Sequence, residues 1–551
     1  SGWYNYARLA NVNTEEAEIA NFVGEAEYHE TYYAVYPYTA VSSWQEYGSK
    51  VWVNVPVRQV YAENTFATDM NPMVARGARN ETLQFKNLCG LLAINLKSEN
   101  NDIVKSVSLA AYDAAGNIAN IAGSFEIDMD FDYEAGPDLS SAAGAMMPGA
   151  TGIIQMDCGE GVQLNGETSV PFHFVLAPGV YNKISVIVTT TDGKIMMREG
   201  KNPLTIKRAE WVAAGTLQYV ENVSFDLSEN GYANCYVVSE AGVYSFDASV
   251  IGNGDFGMVS NSGFHTDDPS ISPVNAEILW EDRAGVVAGA ACADGRISFV
   301  ATGLEGNALI AAKDADGTIL WSWHIWSVND NIDDQVYVNS TGTYTVQDRN
   351  LGAVRDDRGI DEQWRETQGL FYQWGRKDPF TRHKQTSGNL YTTNNNRVSI
   401  VESVQNPTVF EGRGKTGWEE TANSSLWMNS QKTIYDPCPS GYKVSSREIW
   451  LGFTNDSENH YGDVEDYLRA SGTFDKGWKF LIDESGDNTA YYPATDLIYY
   501  NGDYRTRDSE SYLWSNSYQS DRRANILRFY YNVDNSADSW IYIHADENTS
   551  Y

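Results

Sequence analysis

Short apolar or alternating runs, cut apart by Gly, Asn and Asp, constrain this chain more than any other feature. Val51–Val57 (VWVNVPV), Leu91–Leu96 (LLAINL), Ile103–Tyr112 (IVKSVSLAAY) and Tyr181–Thr190 (YNKISVIVTT) have the length and residue types of strands. Between them fall Ala115-Gly116-Asn117, Asp192-Gly193 and Asp316-Gly317. Such turns supply the positive φ angles that tight hairpins need. Strands recurring at roughly 8–12-residue spacing predict β-sandwich domains. No apolar run approaches the ~18 residues of a membrane-spanning helix.

The chain has 551 residues, enough for three or four domains at about 100–200 residues each. Residues 134–152 are small and flexible in composition and read as a long loop inside the first domain. A first boundary is expected near Lys207-Arg208-Ala209 and a second near Asn329–Asp334 (NDNIDD). From about 331 the composition shifts toward Trp, Tyr, Arg and Asn, and helical signals enter. Asp361–Trp374 shows an apolar side, Ser445-x-x-Glu448 is a capping-box pattern, and Val464–Ala470 is a short helix candidate. Strands return at Leu497–Tyr500, Tyr512–Trp514, Ile526–Tyr531 and Trp540–Ile543. The expected fold class is multi-domain and mainly β: sandwiches over 1–208 and 209–330, then an α+β domain over 331–551.

Charge narrows the partners. Lys plus Arg is 39 and Asp plus Glu is 74, a formal charge of −35. That excess repels phosphate backbones and anionic lipid faces, so nucleic acid is not an expected partner. Hydrophobic residues make up 42% of the chain and aromatic residues 13%, which is ample for packed cores. The acidic, Tyr-, Asn-, Thr- and Gly-rich, Lys-poor balance suits an exported protein. Residue 1 is Ser, which reads as a trimmed start.

Candidate chemistry is sparse. Cys89, Cys158, Cys235, Cys292 and Cys438 are far apart and form no CxxC pair, so a structural zinc is not expected. The two GxGxxG matches, Gly252–Gly257 and Gly412–Gly417, lack the strand-to-helix context of a dinucleotide loop and read as glycine turns. Asp314-Ala-Asp316-Gly317 and the Asp503/Asp508 segment leave room for a surface calcium, although no EF-hand pattern is present. No cofactor and no catalytic residue is expected. In Trp321-Ser-Trp323-His324-Ile-Trp326, strand alternation puts Trp321 and Trp323 on one face and His324 and Trp326 on the other. One face should fill a core, the second should pack between domains, with a sugar platform as its alternative, and His324 should be a hydrogen-bonded structural histidine.

Three sets of segments carry a resemblance. Tyr32–Ala40, Thr65–Ala75 and Leu83–Leu96, above all Phe85-Lys-Asn-Leu-Cys89-Gly, resemble the N-terminal domain of fimbrillin-like proteins of the Bacteroidetes. Ala233–Asp247 and Ile319–Trp326 resemble the middle regions of such surface proteins. Asp348–Gly352 (DRNLG), Gly369–Phe380 (GLFYQWGRKDPF) and Asp436–Val444 (DPCPSGYKV) resemble the Fibrobacter-type major paralogous domain, which is similar to C-type-lectin-like folds. The family pattern usually ends in a Val-Arg-Cys-Val strand. This sequence ends Asn548-Thr-Ser-Tyr551 without it, so either the terminal strand that would bring Cys438 its implied partner lies outside these residues, or the sheet closes differently.

The resemblance implies an exported cell-surface adhesion protein, a fimbrial tip or accessory subunit. Its partners would be other pilin subunits, joined by strand addition, and the outer membrane, reached through a lipid anchor or a fibre. The lectin-like domain would bind a glycan or a protein of a host or bacterial surface. Tyr499, Tyr504, Tyr512 and Trp514 are the candidate ligand-binding residues, because aromatic faces stack on sugar C–H surfaces. A purely structural pilin or surface scaffold is the alternative, and a carbohydrate-active enzyme with paired carboxylates a third.

Overall fold

The computed structural model describes residues 10–11, 22–23, 30–44, 50–78, 81–132, 139, 151–259, 263–381, 384–385, 388–389, 391–412, 417–499, 502–505 and 508–549. The loop expected over 134–152 lies almost wholly outside them, as do residues 413–416 of the second glycine motif. The architecture is multi-domain and mainly β, with two compact units, 1–222 and 223–551. Among the described residues no helix is long and apolar enough to cross a membrane.

In the first unit, Ile103–Tyr112 is the middle of a six-stranded sheet. It pairs antiparallel with both Ile153–Gln163 and Lys183–Thr190. A second sheet has Gly90–Lys97 between Val170–Leu176 and Trp211–Gln218. Both sheets feed one core: Val107 and Leu109 from the first meet Leu92, Phe172 and Phe174 from the second, all fully buried. The Phe85–Gly90 phrase has a packing explanation here. Leu88 and Cys89 are fully buried, and a Cβ on Gly90 would stand 2.5 Å from the Lys207 carbonyl oxygen. Only glycine lets that backbone approach.

The boundaries differ from those expected after 208 and 330. Trp211–Gln218 continues the first unit, because it pairs in parallel with Gly90–Lys97. Residues beyond 330 share a core with the middle region. Phe246, Phe299, Ile310, Trp321 and Trp323 of its two four-stranded sheets pack with Trp374, Trp418 and Trp427. The strand Ile319–Ser327 explains why. Both its faces are buried, and Trp326 donates from Nε1 to the Ala353 carbonyl at 3.1 Å. The first glycine motif also serves this packing: Gly252 has φ +53°, and a Cβ there would lie 2.3 Å from the Ile434 carbonyl oxygen.

His324 meets its expected structural role, with Nε2 2.8 Å from Asn307 Oδ1. Burial pushes its pKa down to about 3. His265, 2.5 Å from the Tyr435 hydroxyl, is pushed down to about 4 by burial and by the nearby Lys377 charge. In the unfolded chain both imidazoles take up a proton near pH 6.5. The unfolded state therefore binds more protons below that pH, and stability falls as pH drops toward 4. Between pH 7 and pH 5 each histidine is expected to cost about 2 kcal/mol. Urea unfolding at the two pH values checks this. His324→Gln should shrink the fall by about 2 kcal/mol, and an unchanged fall would clear His324 of the effect.

The C-terminal region builds a second core from Trp450, Phe453, Trp478, Phe480 and Phe529, in which Phe453 and Phe480 stack at 4.1 Å. Regular helix is scarce. The expected helices at 361–374 and 464–470 are the short 3-10 turns Asp361–Thr367 and Val464–Asp466. The capping box expected at Ser445 does not form. The Ser445 carbonyl accepts from Asn516 N at 2.9 Å, which ties that residue to a strand, and Ser446 becomes the N-cap of Arg447–Phe453. A capping box forms instead at Ser399 and Glu402, ahead of the α-helix Ile400–Gln405.

Polar side chains hold the loops in place of ladders. Buried Arg376 donates to the carbonyls of Val409, Ser403 and Asn406 at 2.7, 3.2 and 3.2 Å. Arg349 grips Asp348 with two bonds of 2.7 and 3.1 Å. These bonds satisfy backbone and charge that irregular chain would otherwise bury unpaired.

Candidate functional site

The motif Asp436-Pro-Cys-Pro-Ser-Gly is organised by one carboxylate. Asp436 is 1% exposed. Its Oδ1 accepts from Lys432 Nζ at 2.7 Å and Cys438 N at 3.0 Å, and its Oδ2 from Val444 N at 2.9 Å. The loop closes around the acid and presents Gly441, Tyr442 and Lys443 to a cavity.

That cavity, of about 690 Å³, lies within the second unit. Its volume is in the range of small-ligand sites. One wall is the hairpin Asp334–Asn339/Gly342–Gln347, which contributes Tyr344 and the exposed Thr343 and Thr345. The other walls come from the loops at 348–351 and 370–372, the 3-10 helix Arg447–Phe453 and the strand Glu510–Ser520. All three motifs of the lectin-like resemblance, at 348–352, 369–380 and 436–444, therefore contribute to one cavity.

Of the four expected ligand residues, Tyr512 and Trp514 line the cavity. Both are half-buried. Trp514 Nε1 donates to the Tyr372 carbonyl at 2.8 Å, and the Arg528 guanidinium lies 5.1 Å from the Tyr512 ring centre. Burial, then the Glu510 charge, pushes the Tyr512 hydroxyl up to about 12, so it stays protonated and able to donate. Tyr499 and Tyr504 are outside the lining. Tyr504 stands behind it: its hydroxyl donates to Asp496 and its ring meets Phe371 edge-on at 6.0 Å, and both of those residues line the cavity. Tyr499 has the Arg505 guanidinium 4.3 Å above its ring.

Polar lining residues were not legible in the sequence. Four carboxylates line the cavity, each beside an arginine: Asp348 with Arg349, Glu448 with Arg447 at 3.6 Å, Asp496 with Arg365 at 3.5 Å, and Glu547 with Arg528 at 3.7 Å. Arg349 and Lys443 are the cations of the lining itself. The one available signal was the presence of three ordered motifs carrying the resemblance.

Nothing gathers as a metal site: among the described residues no group of three or more His, Cys, Asp or Glu is placed to hold an ion. Asp314 Oδ1 accepts from Asp316 N and Thr318 N at 3.0 and 2.8 Å, and Asp508 pairs with Lys476. None of the five cysteines is in a disulfide.

No protein-family model matches the chain, and no curated protein matches it. Among solved structures it is similar to a candidate cell adhesion protein from Bacteroides ovatus, at 13% identity and a TM-score of 0.23, over 36% of this chain and 69% of that one. A candidate cell adhesion protein from Bacteroides uniformis gives 13% identity and a TM-score of 0.19, over 34% and 67%. A candidate adhesin from Bacteroides ovatus gives 8% and 0.20, over 39% and 86%. At these TM-scores the likeness carries no weight for fold or site.

Proposed function

We propose that the chain is an exported cell-surface adhesion protein whose C-terminal region, 331–551, binds a glycan in the aromatic-lined cavity. The cavity itself carries this reading. It brings Tyr344, Tyr442, Tyr512 and Trp514 together with carboxylate, amide and guanidinium groups in about 690 Å³. Aromatic faces would cover sugar C–H surfaces, and the charged groups would orient hydroxyls. The fimbrial part of the proposal is a tip or accessory position, with pilin neighbours joined by strand addition. It rests on the fimbrillin-like segments of the N-terminal region, and so does attachment to the outer membrane.

A glycan array probed with the full chain tests binding. Tyr512→Ala should weaken any glycan bound at least about tenfold, the scale of one lost aromatic contact. Tyr461→Ala, 65% exposed and away from the cavity, should leave binding unchanged. Equal weakening by both, or no bound glycan, would refute the site. Release of sugar during incubation would instead favour a carbohydrate-active enzyme.

A further inference from the structure

One wall of the cavity is a strand edge. Every residue from Thr343 to Asp348 lines it, whereas of the partner strand Asp334–Asn339 only Tyr337 does. Successive residues of a strand turn their side chains to opposite faces, so a surface that touches all of them runs along the edge. It is the edge that faces away from Asp334–Asn339.

The backbone of this edge is open. Val338, the partner of Thr343, donates from its N–H to the Ile482 carbonyl at 2.7 Å, away from the hairpin. In an antiparallel pair both opposed residues then turn N–H and C=O outward, and the pattern repeats at every second residue. Asp348 N, which donates to the Asp333 carbonyl at 2.9 Å, fixes the same alternation at the other end. Thr343, Thr345 and Gln347 therefore direct donors and acceptors off the free edge, roughly 7 Å apart along the strand. On that side none of the three has a backbone partner among the described residues. Nor is the edge protected. Native sheets blunt free edges with charge, proline or a bulge. Gly342–Gln347 (GTYTVQ) has no proline, an unbroken register and no charged residue, in a chain where 21% of residues are charged. Thr343 and Thr345 are exposed.

We infer that the cavity takes its sugar on an extended peptide, whose backbone pairs with Thr343, Thr345 and Gln347 while the sugar meets Tyr512 and Trp514 on another wall. The inference rests on the glycan-binding reading above and adds the carrier of the glycan. A second extended polypeptide supplies a donor and an acceptor at every second residue, which is the repeat this edge presents. Main-chain pairing of that kind gives affinity without demanding one peptide sequence. Side chains of an added strand alternate, so every second one points to the same side of the slot. A serine or threonine at such a position carries the sugar toward the aromatic wall.

The test uses the full chain on paired arrays of the same sugars. In one, each sugar is carried on the central threonine of a threonine-rich peptide of about seven residues, a length and composition that favour an extended strand. In the other it is carried on a flexible polyether spacer. The peptide-borne form is expected to half-saturate at a concentration at least about tenfold lower, the scale of two or three added backbone hydrogen bonds. It should also slow hydrogen exchange at the Thr343, Thr345 and Gln347 amides by at least about tenfold, which the spacer-borne sugar should not do. Thr345→Pro deletes one outward N–H at an edge that tolerates proline, and should cut the advantage of the peptide to under about threefold. Thr343→Pro provides a second variant in case the first is unstable, with the melting temperature as the check. Equal binding of the two forms, or unchanged exchange at the three amides, would overturn the peptide-borne ligand and leave the glycan site standing. If no sugar binds in either form, or if the bare peptide binds as tightly as the sugar-bearing one, the glycan reading fails and this inference falls with it.

Discussion

Asp436→Ala is expected to lower the unfolding free energy of the 223–551 unit by about 3–5 kcal/mol, the cost of leaving a buried charge without its partner. Lys432 is 7% exposed and Asp436 is 1% exposed. Removing the carboxylate strands the ammonium, which keeps only the Cys438 carbonyl at 2.7 Å. It also frees the Cys438 and Val444 amides, which no longer have their acceptor. Asp436→Asn retains the shape and one acceptor and should lose less. Urea unfolding followed by tryptophan fluorescence reads both variants, since Trp427 Nε1 donates to the neighbouring Tyr435 carbonyl. A loss under about 1 kcal/mol for the alanine variant would contradict the burial argument. Glycan affinity should fall too, because Gly441, Tyr442 and Lys443 form part of the cavity wall.

The second large effect concerns Lys377 and Asp378, both wholly enclosed. Lys377 Nζ is 2.5 Å from Asp378 Oδ1, 2.6 Å from Ser322 Oγ and 4.5 Å from the Trp321 ring centre. Ser322 Oγ also donates to Asp378 at 2.7 Å. Burial pushes the Lys377 pKa down to about 8, against the opposing pull of Asp378. Asp378→Ala removes that pull and should cost about 3–5 kcal/mol. The double variant Lys377→Met with Asp378→Leu exchanges the pair for apolar volume. It should recover at least half of the loss, because a buried ion pair contributes little net stability over well-packed hydrophobic residues. A double variant no better than Asp378→Ala would mean that the Ser322 bonds, not the charge balance, hold this part of the core.

Much of the β structure could be read directly. Ile103–Tyr112 is a strand with the expected bounds, and Gly116, Gly193 and Gly317 adopt the positive φ their turns need. These are local properties: side-chain alternation and the steric freedom of glycine act within a few residues. Helix was over-read. The apolar residues of 361–374 are pulled to separate partners, Trp364 under the Arg365 guanidinium and Trp374 into the core shared with Trp321, and only one 3-10 stretch remains. The domain boundary after 208 failed for a related reason. A parallel partner lying more than a hundred residues away, Gly90–Lys97 for Trp211–Gln218, leaves no mark in local composition.

The cavity shows the same limit. Tyr512 and Trp514 were chosen as aromatic residues of the last domain and do line it, but Tyr499 and Tyr504 were chosen on the same grounds and do not. Asp496 and Glu547 were hidden among 74 acids, since pairing with Arg365 and Arg528 exists only in space; Asp348 and Glu448 stand beside Arg349 and Arg447 in the chain, but their place in one cavity lining leaves no mark there.

By itself the sequence determined that this is a mainly β chain of hairpins and loops, and strongly acidic. Periodicity and turn chemistry are encoded residue by residue, and charge is additive. Only the tertiary structure decided that the three motifs of the resemblance wall one cavity, and which carboxylates belong to its lining. Burial and the approach of distant side chains depend on the packing of the whole unit, which no short window of residues contains.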